Sequence, residues 1–74
     1  MTQREFTALI EREGDGYVSL CPELDVASQG STVEEARLNL KEAVELFLDA
    51  ASPSEIEARL KSEFYVTRLD VAVA

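Results

Sequence analysis

Residues 21–36 read CPELDVASQGSTVEEA, and within this stretch the chain passes from one apolar periodicity to another. Pro22 has no amide hydrogen to give to a ladder, so it ends a strand that reaches it. The following ELD turns the chain, and VASQ has the composition of a short strand at a sheet edge. Gly30 permits a sharp change of direction. STVEEA then offers two overlapping capping boxes, Ser31 with Glu34 or Thr32 with Glu35. In either one a hydroxyl accepts a hydrogen bond from a free first-turn amide while the glutamate reaches back. The stretch reads as a strand-to-helix joint.

On its N-terminal side, REFTALIERE (residues 4–13) alternates, with Phe6, Ala8 and Ile10 on one face and Glu5, Thr7, Leu9 and Glu11 on the other. EGDGY supplies two glycines for a turn, and YVSLC resumes the alternation, so residues 4–21 predict a β-hairpin around Gly14–Gly16. On its C-terminal side, Val33, Ala36, Leu40, Ala43, Val44 and Phe47 recur at three- and four-residue steps, the stripe of an amphipathic helix. Glu34, Arg37, Lys41, Glu42, Glu45 and Asp49 decorate its outside. Ser52 as cap, Pro53 at the first helical position and Glu55 predict a second, short helix docked by Ile56 and Leu60. Glu55 with Arg59 and Glu57 with Lys61 are spaced as ion pairs on its outer side. FYVTRLDVAVA (residues 64–74) alternates again and reads as a final strand.

The order βββα(α)β predicts one α+β domain over residues 1–74, a two-layer sandwich with the helices on one face of a four-stranded mixed sheet. The other sheet face carries Leu9, Tyr17 and one side of the final strand, and that strand ends in VAVA without a lysine or proline to discourage edge pairing. A chain of 74 residues builds a small core, and one cysteine with no histidine provides neither a disulfide nor a structural metal. A homodimer or higher homo-oligomer is therefore expected, with Leu9, Tyr17, Leu69, Val71 and Val73 as its candidate interface.

Chemistry is scarce. The absence of histidine removes Ser-His-Asp and Cys-His arrangements and most transition-metal sites. Glu23 and Asp25 are the nearest loop carboxylates, too few oxygens for a hard cation and without a closed pocket to separate their acidities. Cys21 has no basic neighbour or CxxC partner to activate it. No glycine-rich phosphate loop is present, and no cofactor, metal or catalytic residue is expected. Seven basic against fifteen acidic residues give a net charge of −8, which repels phosphate backbones and attracts basic proteins. MTQREF lacks the apolar run of a leader, and no segment reaches the ~20 apolar residues of a spanning helix. A soluble, cytoplasmic protein is the expectation.

The succession GDGYVSLCPELDVASQGSTVEEARLNLKEAVELFL resembles the HicB-like antitoxin family in the order and spacing of its pieces: a glycine hairpin, a Pro-acid-Leu turn, Gln-Gly, a Ser/Thr cap, Glu-Glu-Ala and a long amphipathic helix. The resemblance runs from Phe6 to about Leu48, and Pro22, Gln29, Gly30, Thr32, Glu34, Glu35 and Ala36 match the motif. It implies a partial RNase H-like fold and a type II toxin-antitoxin role, in which the protein binds and masks a small basic HicA-type mRNA-cleaving toxin. The RNase H likeness does not extend to catalysis, because FTALI has no central carboxylate for a metal ion. Many relatives carry a C-terminal DNA-binding region; here the expectation is a short form without one, and no direct nucleic-acid binding. Glu23, Asp25 and Glu34 are the candidate partner-binding acids. A solitary oligomeric HicB-like scaffold or ligand-binding module without a toxin is the alternative.

Overall fold

The computed structural model describes residues 4–61 and 63–74; the opening Met1–Gln3 of the leaderless reading and Ser62 lie outside them. Three strands and two helices follow in order: β1 (Leu9–Glu13), β2 (Gly16–Cys21), β3 (Val26–Gly30), α1 (Val33–Ala50) and α2 (Pro53–Arg59). The strands form one antiparallel sheet in the order β1-β2-β3. The architecture is α+β, with α1 packed on one face of the sheet.

The hairpin forms as expected, with Leu9 opposite Leu20 and Glu13 opposite Gly16. Gly14 opens its two-residue turn at φ +60°, the left-handed region that favours glycine. The ladder begins at Leu9, whereas alternation predicts it from Arg4. Continued by two positions, the register sets Thr7 opposite Pro22, which cannot donate, and the chain turns away there.

At the joint, the second of the two capping boxes is used. Thr32 caps α1 by accepting the Glu35 N–H at 3.0 Å, and the Glu35 carboxylate accepts the Ser31 N–H at 2.7 Å. Ser52 likewise caps α2, with Pro53 at its start. α1 buries Ala36, Leu40 and Val44, while Val33 at its head stays exposed. The core is Cys21, Leu24, Leu40 and Val44, with Phe6, Val26, Phe47, Leu48 and Leu60 packed around it. Helix and sheet meet closely at Gly30, where a Cβ would lie 2.5 Å from the Ala36 nitrogen, so only glycine fits. Beside that contact, the buried Ser19 hydroxyl donates to the Ala36 carbonyl at 3.0 Å and the Asn39 amide donates to the Gln29 carbonyl at 2.8 Å.

Two expectations are corrected here. Among the described residues the sheet has three antiparallel strands rather than four mixed ones: residues 63–74 pair with no strand and are exposed throughout. Alternation fixes which side chains share a face of an extended segment; it supplies no partner for the segment's backbone. The ion pairs expected on α2 are replaced by tertiary contacts. Arg59 stacks over the Phe47 ring at 4.9 Å and donates to the Leu24 carbonyl at 3.4 Å, and the Lys61 ammonium donates to the Pro22 carbonyl at 2.9 Å. Among the described residues no helix is long and apolar enough to cross a membrane.

Candidate functional site

The turn at residues 22–25 places the first two candidate acids. Both oxygens of the Glu23 carboxylate accept the Thr7 N–H, at 3.1 and 3.0 Å, and one also accepts the Thr7 hydroxyl at 2.7 Å. Its backbone carbonyl accepts the Lys61 N–H at 3.0 Å. Partial burial pushes the Glu23 acidity up, but the hydrogen bonds from Thr7 outweigh it and hold the carboxyl below its ordinary range. Glu23 is thus a structural clamp between the approach to β1 and the turn. Leu24, beside it, is fully buried. Asp25 is exposed at φ 57°, a left-handed position that aspartate tolerates better than most residues.

Glu34 lies in the first turn of α1 and forms a two-point pair with Arg37, at 2.7 and 3.1 Å. That hydrogen bond and the attraction of the guanidinium hold its carboxyl low. Asp25 and Glu34 flank opposite ends of β3, a strand of five residues that spans roughly 17 Å. The three acids therefore do not form one cluster.

The expected interface residues also divide. Leu9 is exposed on the sheet face away from α1, in a row with Leu20 and Ala27. Tyr17 belongs to the opposite face: it alternates in phase with Ser19 and Cys21, which turn toward the helix, and its ring lies beneath Arg12, 5.7 Å from the guanidinium. Its assignment to the bare face with Leu9 is corrected. Leu69, Val71 and Val73 stand in the unpaired C-terminal segment at 83, 71 and 90% exposure.

The surface that does come together lies on the outside of α1. Leu38 and Leu46 are 49 and 61% exposed. Stepping along the helix by three or four residues, Glu35, Leu38, Glu42, Leu46 and Asp49 share one face, with Glu34 and Glu45 beside them. The helix's two bases lie on the flank and are both engaged, Arg37 with Glu34 at 2.7 Å and Lys41 with Glu45 at 3.8 Å. Among the described residues Glu42 and Asp49 have no base within ion-pair distance. Asp49 also sits in a last turn that holds no basic residue, at the negative end of the helix dipole, where a carboxylate is unfavourable. Sequence reading names the acids of this face and passes over the leucines. Their signal is present: two leucines fall outside the core stripe, on the charged side.

Cys21 is fully buried, and burial raises its thiol above the usual range, the condition of a packing residue rather than a nucleophile. No group of three or more carboxylate or thiol ligands converges on a point among the described residues. What the surface offers is an acidic helix face with two apolar anchors.

Comparison with known proteins gives several relatives. A UPF0150 protein of Synechocystis sp. is 42% identical over 66 residues, covering 86% of this chain and 88% of the relative. The chain belongs to the UPF0150 family. A UPF0150 protein of Helicobacter pylori strain J99 is 35% identical over 68 residues, 90% of this chain and 94% of its own length. A further UPF0150 protein of Synechocystis sp. is 45% identical over 47 residues, 61% of this chain and 65% of its own. No family model and no solved structure matches this UPF0150 chain.

Proposed function

We propose that this UPF0150 chain is a HicB-like antitoxin module, a non-catalytic cytoplasmic protein that binds and masks a small basic mRNA-cleaving toxin of the HicA type. The observation that carries the reading is the outer face of α1, where exposed Leu38 and Leu46 lie among Glu35, Glu42, Glu45 and Asp49. Apolar anchors ringed by one sign of charge suit a partner of the opposite charge: the charges orient the encounter and the desolvated leucines hold it. The net charge of −8 favours the same partner over nucleic acid. The resemblance of the motif from Phe6 to about Leu48 supports the antitoxin reading and, with it, a partial RNase H-like fold. The test is capture of the partner from the native host at low salt, followed by elution at high salt. A single small basic protein that cleaves RNA, and stops when the chain is returned at one equivalent, is the expected result.

The second reading, a solitary homo-oligomeric scaffold or ligand-binding module of the same fold, draws on the exposed apolar residues of the bare sheet face and of the C-terminal segment. It predicts a salt-resistant homo-oligomer and no basic protein in the eluate. Self-association is common to both readings.

A further inference from the structure

The acidic balance of the chain reverses around one cleft. Between the approach to β1 and α1 lies an opening of about 420 Å³ whose wall holds three of the chain's seven bases, Arg4, Arg37 and Lys41, and one of its fifteen acids, Glu45. Its floor is apolar, made by Phe6, Ala8, Leu40, Val44 and Leu48. The Thr7 hydroxyl and the Cys21 thiol also line it, and both already donate to the Glu23 carboxylate, at 2.7 and 3.6 Å.

The helix sets this pattern. On α1, Leu40, Val44 and Leu48 form one row at four-residue steps, and Arg37, Lys41 and Glu45 form the row beside it, so an apolar track is edged by charge. Residues 4–8 make the facing wall, where the Arg4 guanidinium lies 5.3 Å from the centre of the Phe6 ring. The three bases are not equally free. Arg37 is held at two points by Glu34, at 2.7 and 3.1 Å, whereas Lys41 reaches Glu45 only at 3.8 Å. Arg4 has no carboxylate within ion-pair distance among the described residues.

We infer that the cleft binds a small amphiphile of single negative charge, a monocarboxylate whose apolar body lies on Leu40, Val44 and Leu48 and whose headgroup is taken by Arg4 and Lys41. One free base and one loosely held base match one charge. A closed cavity of ~150 Å³ holds benzene, so an open cleft of about 420 Å³ suits a body of about eight to twelve carbons. A mostly apolar lining with a few polar groups at its margin is the usual build of a small-molecule site. As the apolar body displaces water, the attraction at the rim strengthens. Neither Leu38 nor Leu46 lines the cleft, so the site stands apart from the antitoxin reading.

The test is titration of the full chain with hexanoate, octanoate and decanoate, and with 1-octanol as the uncharged control, followed by amide and methyl NMR shifts. The expected result is saturable one-to-one binding with shifts at Leu40, Val44 and Leu48, and an affinity that rises about two- to fourfold per added CH2. Octanoate is expected to bind about fivefold tighter than 1-octanol. Arg4 and Lys41 are exposed, so an Arg4→Gln/Lys41→Gln chain should stay folded. It should bind octanoate and 1-octanol alike while keeping the dependence on chain length. Binding that does not saturate, shifts that avoid the cleft, or equal affinity of wild type for octanoate and 1-octanol overturns the site. NOEs in the ligand-free chain from the Leu69, Val71 or Val73 methyls to Leu40, Val44 and Leu48 would show the cleft filled by the C-terminal segment, and overturn it as well.

Discussion

The Glu23 carboxylate and the Thr7 amide face each other where the β1-β2 ladder stops, and the carboxylate takes the N–H on both oxygens, at 3.1 and 3.0 Å. The carboxylate gives the Thr7 amide an acceptor just beyond the end of the ladder, and with the Thr7 hydroxyl it fixes the approach to β1. This has a consequence for acid stability. A carboxyl held below its ordinary range in the fold adds stability above its unfolded value, and that increment disappears as pH falls through the folded value. Glu23→Gln is expected to cost about 1.5–3 kcal/mol at neutral pH, the scale of a hydrogen bond to a charged group. The difference from wild type should close in acid. Urea unfolding of both chains from neutral pH to well below pH 4 reads it, and a gap that persists in acid contradicts the clamp.

Gly30 is the tightest point of the helix-sheet contact, because a Cβ there would sit 2.5 Å from the Ala36 nitrogen and 2.8 Å from the Glu35 carbonyl carbon. Both are backbone atoms and cannot swing aside. Gly30→Ala is expected to destabilise by about 1–3 kcal/mol, the cost of forced overpacking. Ser19→Ala, which leaves the Ala36 carbonyl without its hydroxyl donor, is expected to cost about 1 kcal/mol. Thermal unfolding of both variants is the check, and a Gly30→Ala chain as stable as wild type would remove the close contact from the account.

The Cys21 thiol is buried, and burial raises its acidity constant, so both its access and its thiolate fraction are low. A disulfide reagent at neutral pH should label it at least about 100-fold faster in denaturant than in buffer, with the native rate following the rare opened state. Equal rates would show a reactive, accessible thiol.

Leu38 and Leu46 contribute little to the fold, since neither is packed in the core. Each changed to alanine should shift stability by less than about 0.5 kcal/mol. On partner binding the same changes should each cost about tenfold or more, the pattern of an interface anchor. Calorimetric unfolding and titration of the captured partner separate the two effects. Loss of stability without loss of binding would return both leucines to a structural role.

Much of this organisation is legible in the residues themselves, because it is local. Thr32, Ser52 and Pro53 announce two helix starts, Gly14 announces the turn, and the stripe through Ala36, Leu40 and Val44 announces the buried side of α1. What sequence reading misses depends on distant partners. The role of Glu23 is set by Thr7, sixteen positions away, and that of Lys61 by Pro22, thirty-nine positions away. Leu24 is apolar in an apparent surface turn, and its full burial follows only from its packing with Cys21 and with Leu40 and Val44 of α1. Tyr17 was open to misplacement because the hairpin register, not alternation within one strand, decides which face it shares. The final segment carries the alternation of a strand and pairs with no strand among the described residues.

The most direct measurement of the central claim is inhibition of RNA cleavage by the partner captured from the native host, titrated with wild-type chain and with a Glu42→Lys/Asp49→Lys chain. The account predicts that wild type abolishes cleavage at one equivalent, that added salt weakens it, and that the charge-reversed chain fails while remaining folded. Equal inhibition by both chains, or the recovery of no basic ribonuclease, would contradict the assignment of the α1 outer face as an antitoxin surface.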